Sequence, residues 1–318
     1  MTDIPMNEIP GMVEPIEQVT LETVAKSVEL SKGEVIVEFG PFFGKSTASL
    51  ATGLAKNQTR SLENHIYTYD SFKCSKAGSF YSAVKKITNA HNLNHLLEED
   101  DSFSDFLPVF KHYLGDQIAS GVVVPRVYSL ADSYHTGETI AVLHIDSPKL
   151  YSELEFITRR FFEFLRVGSV IIFQDYFLHW SGTLIAAINS MVRLGFIEVF
   201  GTAASSLLCV VKKDFNPNDF LTFEALMNDA SEVSKAIDAT PELLAGKEID
   251  RRERFLPRIS LAKIQWLYET GDAPAAAKLF ASFVQTKDWN LYVLPDFYDL
   301  MSHKFVYPSG YETEHPEP

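Results

Sequence analysis

The sequence predicts an α/β protein: a doubly wound, mostly parallel seven-stranded sheet of Rossmann-like type with a C-terminal helical extension. Three observations carry this. Short apolar, β-branched runs alternate with amphipathic stretches between residues 16 and 215, the pattern of strands joined by crossover helices. Several of those runs end in an acidic residue, at Asp70, Asp146 and Asp175. Beyond Asn216 the texture changes, and residues 220–285 hold no β-rich run and read as helices.

Taken in order, residues 1–15 form a flexible arm and residues 16–31 a helix with apolar positions near helical spacing. Gly33-Glu34-Val35-Ile36-Val37-Glu38-Phe39 is a buried strand. It breaks at Gly40 and Gly44 and resumes as a helix from Ser46 to Lys56. A strand, a tight glycine turn and a helix N-terminus form a ready site for an anion, because free N–H groups and the positive end of the helix dipole face it. His65–Asp70 is the second strand, and its terminal Asp70 is placed to grip a ribose diol, with Ser71 beside it. Lys76–Asn94 and Asp100–Leu114 read as helices, separated by a solvated acidic loop, Glu98 to Asp101. Val122–Tyr128 is a third strand that pairs only in part because of Pro125. Ile140–Asp146 is the fourth, Gly168–Asp175 the fifth, and Phe196–Phe200 with Leu207–Lys212 the closing pair. Tyr151–Arg166 and Leu184–Arg193 are the intervening helices. These signals divide the chain into a ligand-binding domain over 16–215, a helical extension over 216–306 and a tail over 307–318. Within the extension, Ile259 to Phe280 reads as a helical hairpin turning at Gly271-Asp272.

In doubly wound sheets, ligands bind beyond the carboxyl ends of the strands. Asp70, Asp146, Asp175 and the glycine turn are all predicted at those ends. Composition narrows the ligand. The 318 residues are 46% hydrophobic and carry a formal net charge of −14, so nucleic acid is not an expected general partner. No apolar run approaches the roughly 20 residues needed to span a bilayer, and no signal peptide opens the chain. A cytoplasmic protein with no membrane partner is the expectation. Cys74 and Cys209 lie far apart and are read as reduced thiols.

The glycine turn has three readings. A phosphate-binding P-loop needs four residues between its glycines, and Gly40-Pro41-Phe42-Phe43-Gly44 has three, two of them bulky. A P-loop-like nucleotide-binding enzyme stays open as an alternative. The dinucleotide pattern lacks a glycine. The third reading fits best: Glu38-Phe39-Gly40-Pro41-Phe42-Phe43-Gly44-Lys45-Ser46-Thr47 resembles the first motif of class I S-adenosylmethionine-dependent methyltransferases, in the variant found in macrocin O-methyltransferase and cephalosporin-hydroxylase-like groups. Downstream, His144-Ile145-Asp146-Ser147-Pro148-Lys149-Leu150-Tyr151 and Gly168-Ser169-Val170-Ile171-Ile172-Phe173-Gln174-Asp175-Tyr176 are similar to two further segments of that family. The resemblance covers roughly residues 30–215.

The resemblance implies S-adenosylmethionine as cofactor and methyl transfer to an oxygen of a small-molecule acceptor. Glu38 would accept from the cofactor's ammonium, Gly40 and Gly44 would let the protein backbone approach it, Ser46 and Thr47 would donate to its carboxylate, and Asp70 and Ser71 would serve the ribose. Asp146, Gln174 and Asp175 stand at the family's metal positions, for which Mg²⁺ suits the oxygen donors. Gln174 departs from the family's acid and adds no charge, and Pro148-Lys149 lengthens the first segment, so Lys149 is an alternative cation. Asp146, Asp175 and the loop residue His179 are the candidate catalytic groups. His144 reads as a core histidine. Tyr176, Phe177 and Trp180 are candidates to wall an aromatic acceptor pocket, and Tyr134 and His135 to approach the adenine. Two partner expectations complete the reading: a homo-oligomer formed through the C-terminal helices, or a repurposed fold that binds protein instead of catalysing.

Overall fold

The computed structural model describes residues 8–135, 137–291 and 293–302. Residues 1–7 of the arm and the 307–318 tail lie outside them. The chain divides into two compact units, one ending at Ser147 and one beginning at Pro148. That boundary falls inside the stretch expected to be a single domain over 16–215.

The first unit contains α1 (Pro15–Ser27), β1 (Val35–Phe39), α2 (Lys45–Ala55), β2 (Ile66–Asp70), β3 (Lys73–Ser75), α3 (Ser79–Ala90), β4 (Glu98–Glu99), β5 (Phe103–Asp105), α4 (Leu107–Ala119), β6 (Val123–Val127) and β7 (Ile140–Ile145). The second contains α5 (Tyr151–Phe161), β8 (Leu165–Phe173), α6 (Gly182–Arg193), β9 (Ile197–Ala203), β10 (Ser206–Val211), α7 (Pro217–Met227), α8 (Ala230–Asp238), α9 (Thr240–Leu243), α10 (Arg252–Glu269), α11 (Ala273–Phe283) and α12 (Val293–Ser302). Seven strands form one sheet in the order β6-β2-β1-β7-β8-β10-β9 with flanking helices, the Rossmann-like arrangement expected. β6, β2, β1 and β7 run parallel, and β10 pairs antiparallel with both β8 and β9.

β1 and β7 are buried at every position, which is why their sequences are uninterrupted apolar runs but for Glu38 and His144. β6 lies at the edge, where Pro125 is tolerated opposite Thr68. Four expectations are corrected here. Residues 8–14 of the arm are not loose, since Ile9 and Val13 are buried. The helix expected over Asp100–Leu114 is instead a turn, the short strand β5 and the start of α4. Asp100 Oδ1 accepts from the N–H groups of Ser102 and Phe103, and Pro108 sits in the first turn of α4, where its missing N–H is harmless. Glu98 and Glu99 form β4 and are exposed; Glu99 pairs with Lys76 and Lys85 at its face. The helix expected to reach Arg166 ends at Phe161, and Leu165 already belongs to β8.

In the second unit the expected hairpin is present as α10 and α11. Leu261, Ile264, Ala276, Phe283 and Val293 form its core, and Trp289 packs on the stacked Phe280–Phe297 pair. α10 runs through Pro257, which cannot donate to the carbonyl of Glu253. Asn290 Nδ2 donates to that carbonyl at 3.1 Å in its place. Among the described residues, no helix is long and apolar enough to cross a membrane.

Packing of α1 on α2 sets one testable sign. Replacing glycine by alanine inside a helix ordinarily stabilises by about 1 kcal/mol. At Gly53 of α2 a Cβ would lie 2.2 Å from the Glu22 backbone oxygen of α1 and 2.8 Å from Ala25 Cβ. Gly53→Ala is expected to destabilise by about 1–3 kcal/mol instead, as an overpacked contact does. Urea unfolding measures it, and a stabilised variant would refute the close approach.

Candidate active site

The first unit gathers its polar side chains at the carboxyl ends of β1, β2 and β7. Glu38, the fourth residue of β1, is fully buried. A carboxylate there must be satisfied from within. Thr47 of α2 donates its hydroxyl to Glu38 Oε2 at 2.5 Å, and His144 of β7 lies with Nδ1 3.2 Å from Oε1. Register explains the second contact, since Glu38 stands directly opposite His144 in the β1–β7 ladder. His144 is therefore a hydrogen-bonded core histidine, as the sequence indicates. Thr47 differs from expectation. Its one hydroxyl proton is committed to Glu38, so its side chain is not the donor for a ligand carboxylate. Ser46, buried beside it in the first turn of α2, and the N–H groups of that turn keep that assignment.

The glycine turn is built by two left-handed glycines and one strained residue. Gly40 has φ +77° and Gly44 φ +95°, with Phe42 at φ +49° between them. A Cβ at Gly40 would sit 2.9 Å from the Ser147 nitrogen, and one at Gly44 would sit 2.6 Å from Leu114 Cδ1. Gly40 thus lets the turn close against the end of β7, whereas Gly44 lets α2 begin against α4. The Phe42 and Phe43 rings stack at 3.8 Å and turn inward onto Phe106. A phosphate cradle needs small residues there so that backbone can wrap the ligand. The buried phenylalanines contradict the P-loop alternative.

Asp70 ends β2 and accepts from the Phe72 N–H at 2.7 Å, while Ser71 Oγ donates to the Lys73 carbonyl at 3.3 Å. Burial pushes the Asp70 carboxyl up to about 7. Backbone N–H groups of Phe72 and Phe42 oppose that rise, and the charges of Asp146 and Glu38 add to it. Asp146 follows β7 and donates its N–H to the Phe39 carbonyl at 3.0 Å. Asp70, Asp146 and Glu38 are therefore close enough to feel one another. Around the same edge, Tyr69 donates to the Tyr134 carbonyl, and Tyr128 N–H donates to the Asp70 carbonyl. His135 is buried with Nε2 2.7 Å from the Glu138 carbonyl, and burial lowers its pKa.

The second unit holds the other candidates. Asp175 has φ +61°, a left-handed conformation uncommon outside glycine. Its Oδ2 accepts from Lys149 Nζ at 2.5 Å, and Ser205 Oγ lies 3.5 Å from Oδ1. Gln174 is buried beside it. This set does not suit Mg²⁺. The carboxylate is already neutralised by an ammonium and the neighbouring amide is uncharged, while the ion favours several charged or carbonyl oxygens in octahedral array. Among the described residues, no group of three or more His, Cys, Asp or Glu could hold a metal. The metal assignment of Asp146, Gln174 and Asp175 is not carried further.

Tyr176 is fully buried and donates to Asn189 Oδ1 at 2.7 Å; Asn189 in turn donates to the Ala236 carbonyl and Thr240 Oγ1. Phe177 packs on Tyr176 and Phe255. Both are core residues, which corrects their assignment to an acceptor wall. His179 is buried with Nδ1 3.8 Å from Asp296 Oδ1, and Arg258 holds Asp296 through two bonds of 2.7 and 2.8 Å. Ser205, Arg258 and Asp296 escaped the sequence reading. None sits in a local motif, and each lies 30 to 117 residues from its partner, so only the fold pairs them.

A family model described as a methyltransferase domain matches residues 37–176. No curated protein matches the chain. Among solved structures, the TDP-rhamnose 3'-O-methyltransferase CalS11, an enzyme in calicheamicin biosynthesis, is 15% identical over 61% of this chain and 78% of its own, with a TM-score of 0.40. The O-methyltransferase NovP is 17% identical over 62% of this chain and 78% of its own, with a TM-score of 0.42. An O-methyltransferase from Bacillus cereus in complex with SAH is 15% identical over 65% of this chain and 86% of its own, with a TM-score of 0.41.

Asp70 makes stability depend on pH. The folded chain keeps its proton up to about pH 7, whereas the unfolded chain releases it near the ordinary 3.8. The stability tied to that proton is complete below about pH 4 and is lost as pH rises through 7. Asp70→Asn is expected to reduce the loss of stability between pH 4 and pH 8, measured by urea unfolding at both. A variant with the wild-type pH slope would refute the burial of this carboxyl.

Proposed function

We propose that this chain, whose residues 37–176 are a class I methyltransferase domain, uses S-adenosylmethionine to methylate an oxygen of a small-molecule acceptor. One observation carries the cofactor half of the reading. Glu38, Asp70 and Asp146 bring three carboxyl groups together beside a glycine turn and a helix N-terminus. S-adenosylmethionine is a ligand of matching chemistry: a sulfonium and an ammonium for the acids, a ribose diol for Asp70, and a carboxylate for the helix terminus. Gly40 sets the shape of the turn itself, because the space its Cβ would need is taken by the Ser147 backbone. When bound, the cofactor supplies an electrophilic methyl group on sulfur.

The residues of this chain then have distinct tasks. Asp70, once ionised, accepts from the two ribose hydroxyls, with Ser71 next to it. Ser46 and the first-turn N–H groups of α2 hold the carboxylate. Glu38 acts through the charge it places under the turn, since Thr47 and His144 engage both of its oxygens. Asp146 contributes charge at the end of β7. On the acceptor side, Asp175 and His179 are the candidate proton acceptors. A small-molecule acceptor, rather than nucleic acid, fits the chain's acidity. A homo-oligomer formed through α10, α11 and α12 belongs to the same proposal.

Titration calorimetry tests it. S-adenosylhomocysteine is expected to bind one per chain, more tightly at pH 8 than at pH 6, because Asp70 ionises near 7. Asp70→Asn should weaken binding by about tenfold or more, the effect of losing a hydrogen-bonding charge worth about 1.5–3 kcal/mol. Binding of ATP with none of S-adenosylhomocysteine would overturn the reading.

A further inference from the structure

We infer that the second unit carries its own resident cation, Lys149, where the resembled family places a divalent metal, so that its acid–base chemistry runs without one. The inference rests on the methyltransferase reading for its purpose, but on the geometry of the second unit for its content.

Lys149 and Asp175 form a fixed pair rather than a surface contact. Nζ and Oδ2 are 2.5 Å apart, and the two side chains are only 15% and 24% exposed. Surface ion pairs contribute little because long side chains must be ordered against solvent. Here both backbones are already held. The Lys149 N–H donates to Glu153 Oε2 at 2.6 Å, and its carbonyl accepts from Ser181 Oγ at 2.8 Å. Asp175 is locked in its left-handed turn, where its carbonyl accepts from the Leu178 N–H, and the nearby Phe177 N–H donates to the Ser205 carbonyl. A strained residue of this kind persists only where its surroundings fix it, and such residues concentrate at functional sites.

Charge decides between lysine and metal. With Lys149 protonated, the pair is neutral. A dication entering would have to expel the ammonium from its carboxylate, and among the described residues no group of three or more His, Cys, Asp or Glu could hold it. An ammonium can do part of what a metal does. It places positive potential on an acceptor oxygen as that oxygen loses its proton. Asp175 would take the proton of the acceptor hydroxyl, and the cofactor, when bound, would supply the methyl group and leave as the neutral thioether. Lys149 keeps its proton throughout, and Ser205 stays beside the Asp175 carboxyl.

Manganese, followed by electron paramagnetic resonance, reads the site without an acceptor. Mn²⁺ titrated into the full chain is expected to stay free with wild type and to bind, one per chain, to Lys149→Glu, whose added carboxylate replaces the ammonium. Mn²⁺ uptake by wild type that Asp175→Asn abolishes would overturn the inference. A folded Lys149→Glu that takes up none would overturn it too. If Lys149→Glu does not fold, Lys149→Met and Asp175→Asn, singly and together, decide. Their shifts in melting temperature should be non-additive if the two groups are paired, and additive shifts would sink the pairing. Calorimetry with S-adenosylhomocysteine on the same samples separates the two readings. Cofactor binding alongside wild-type Mn²⁺ uptake removes the resident cation alone. Absent cofactor binding removes the methyltransferase reading, while the manganese result still decides the cation.

Discussion

A carboxylate buried in the middle of a sheet governs the first unit. Glu38 has no access to water, so its charge must be met by donors brought to it. The two it receives come from different elements, Thr47 from α2 and His144 from β7. Meeting that requirement fixes where α2 starts over β1 and holds β1 and β7 in register. The turn between Gly40 and Gly44 inherits its shape from these two anchors. Removing either donor leaves part of a charge unmet, a cost of about 1–3 kcal/mol or more. The charge that costs folding energy also sets the field that a cationic ligand would meet.

The two units solve the burial of acids in opposite ways. In the first, burial makes Asp70 keep its proton to about pH 7, and the nearby Asp146 and Glu38 add to that rise. In the second, Asp175 is matched by Lys149 within the unit itself. A group of acids answered by neutral donors and a proton leaves its charge open to a cationic ligand, whereas an acid answered by an ammonium resists one. Arg258 with Asp296 repeats the second solution deeper in the helical extension, beside His179.

Much of this was legible in the sequence because it depends on period and spacing. The seven strands, the glycine turn, the terminal acids Asp70 and Asp146, and the α10–α11 hairpin all announce themselves within windows of a few residues. Errors came where a side chain reaches outside its window. Thr47 at a helix start reads as a ligand donor until Glu38 is seen beneath it. Tyr176 after an acid reads as a pocket wall until Asn189, thirteen residues on, takes its hydroxyl. The helix expected through Asp100–Leu114 ignored Pro108, a signal that was present. Ser205 and Asp296 had none, for a lone serine or aspartate carries no pattern until the chain brings it to its partner.

The bond from Asn290 to the Glu253 carbonyl has a consequence for how this sequence can change. Pro257 and Asn290 lie 33 positions apart, yet one supplies the defect that the other repairs. While proline remains, losing the asparagine leaves this exposed carbonyl to water. Once proline is replaced by a residue with an N–H, the helix closes its own ladder and the asparagine is released. The two positions are therefore coupled through one surface carbonyl, so what a change at either costs depends on which residue stands at the other.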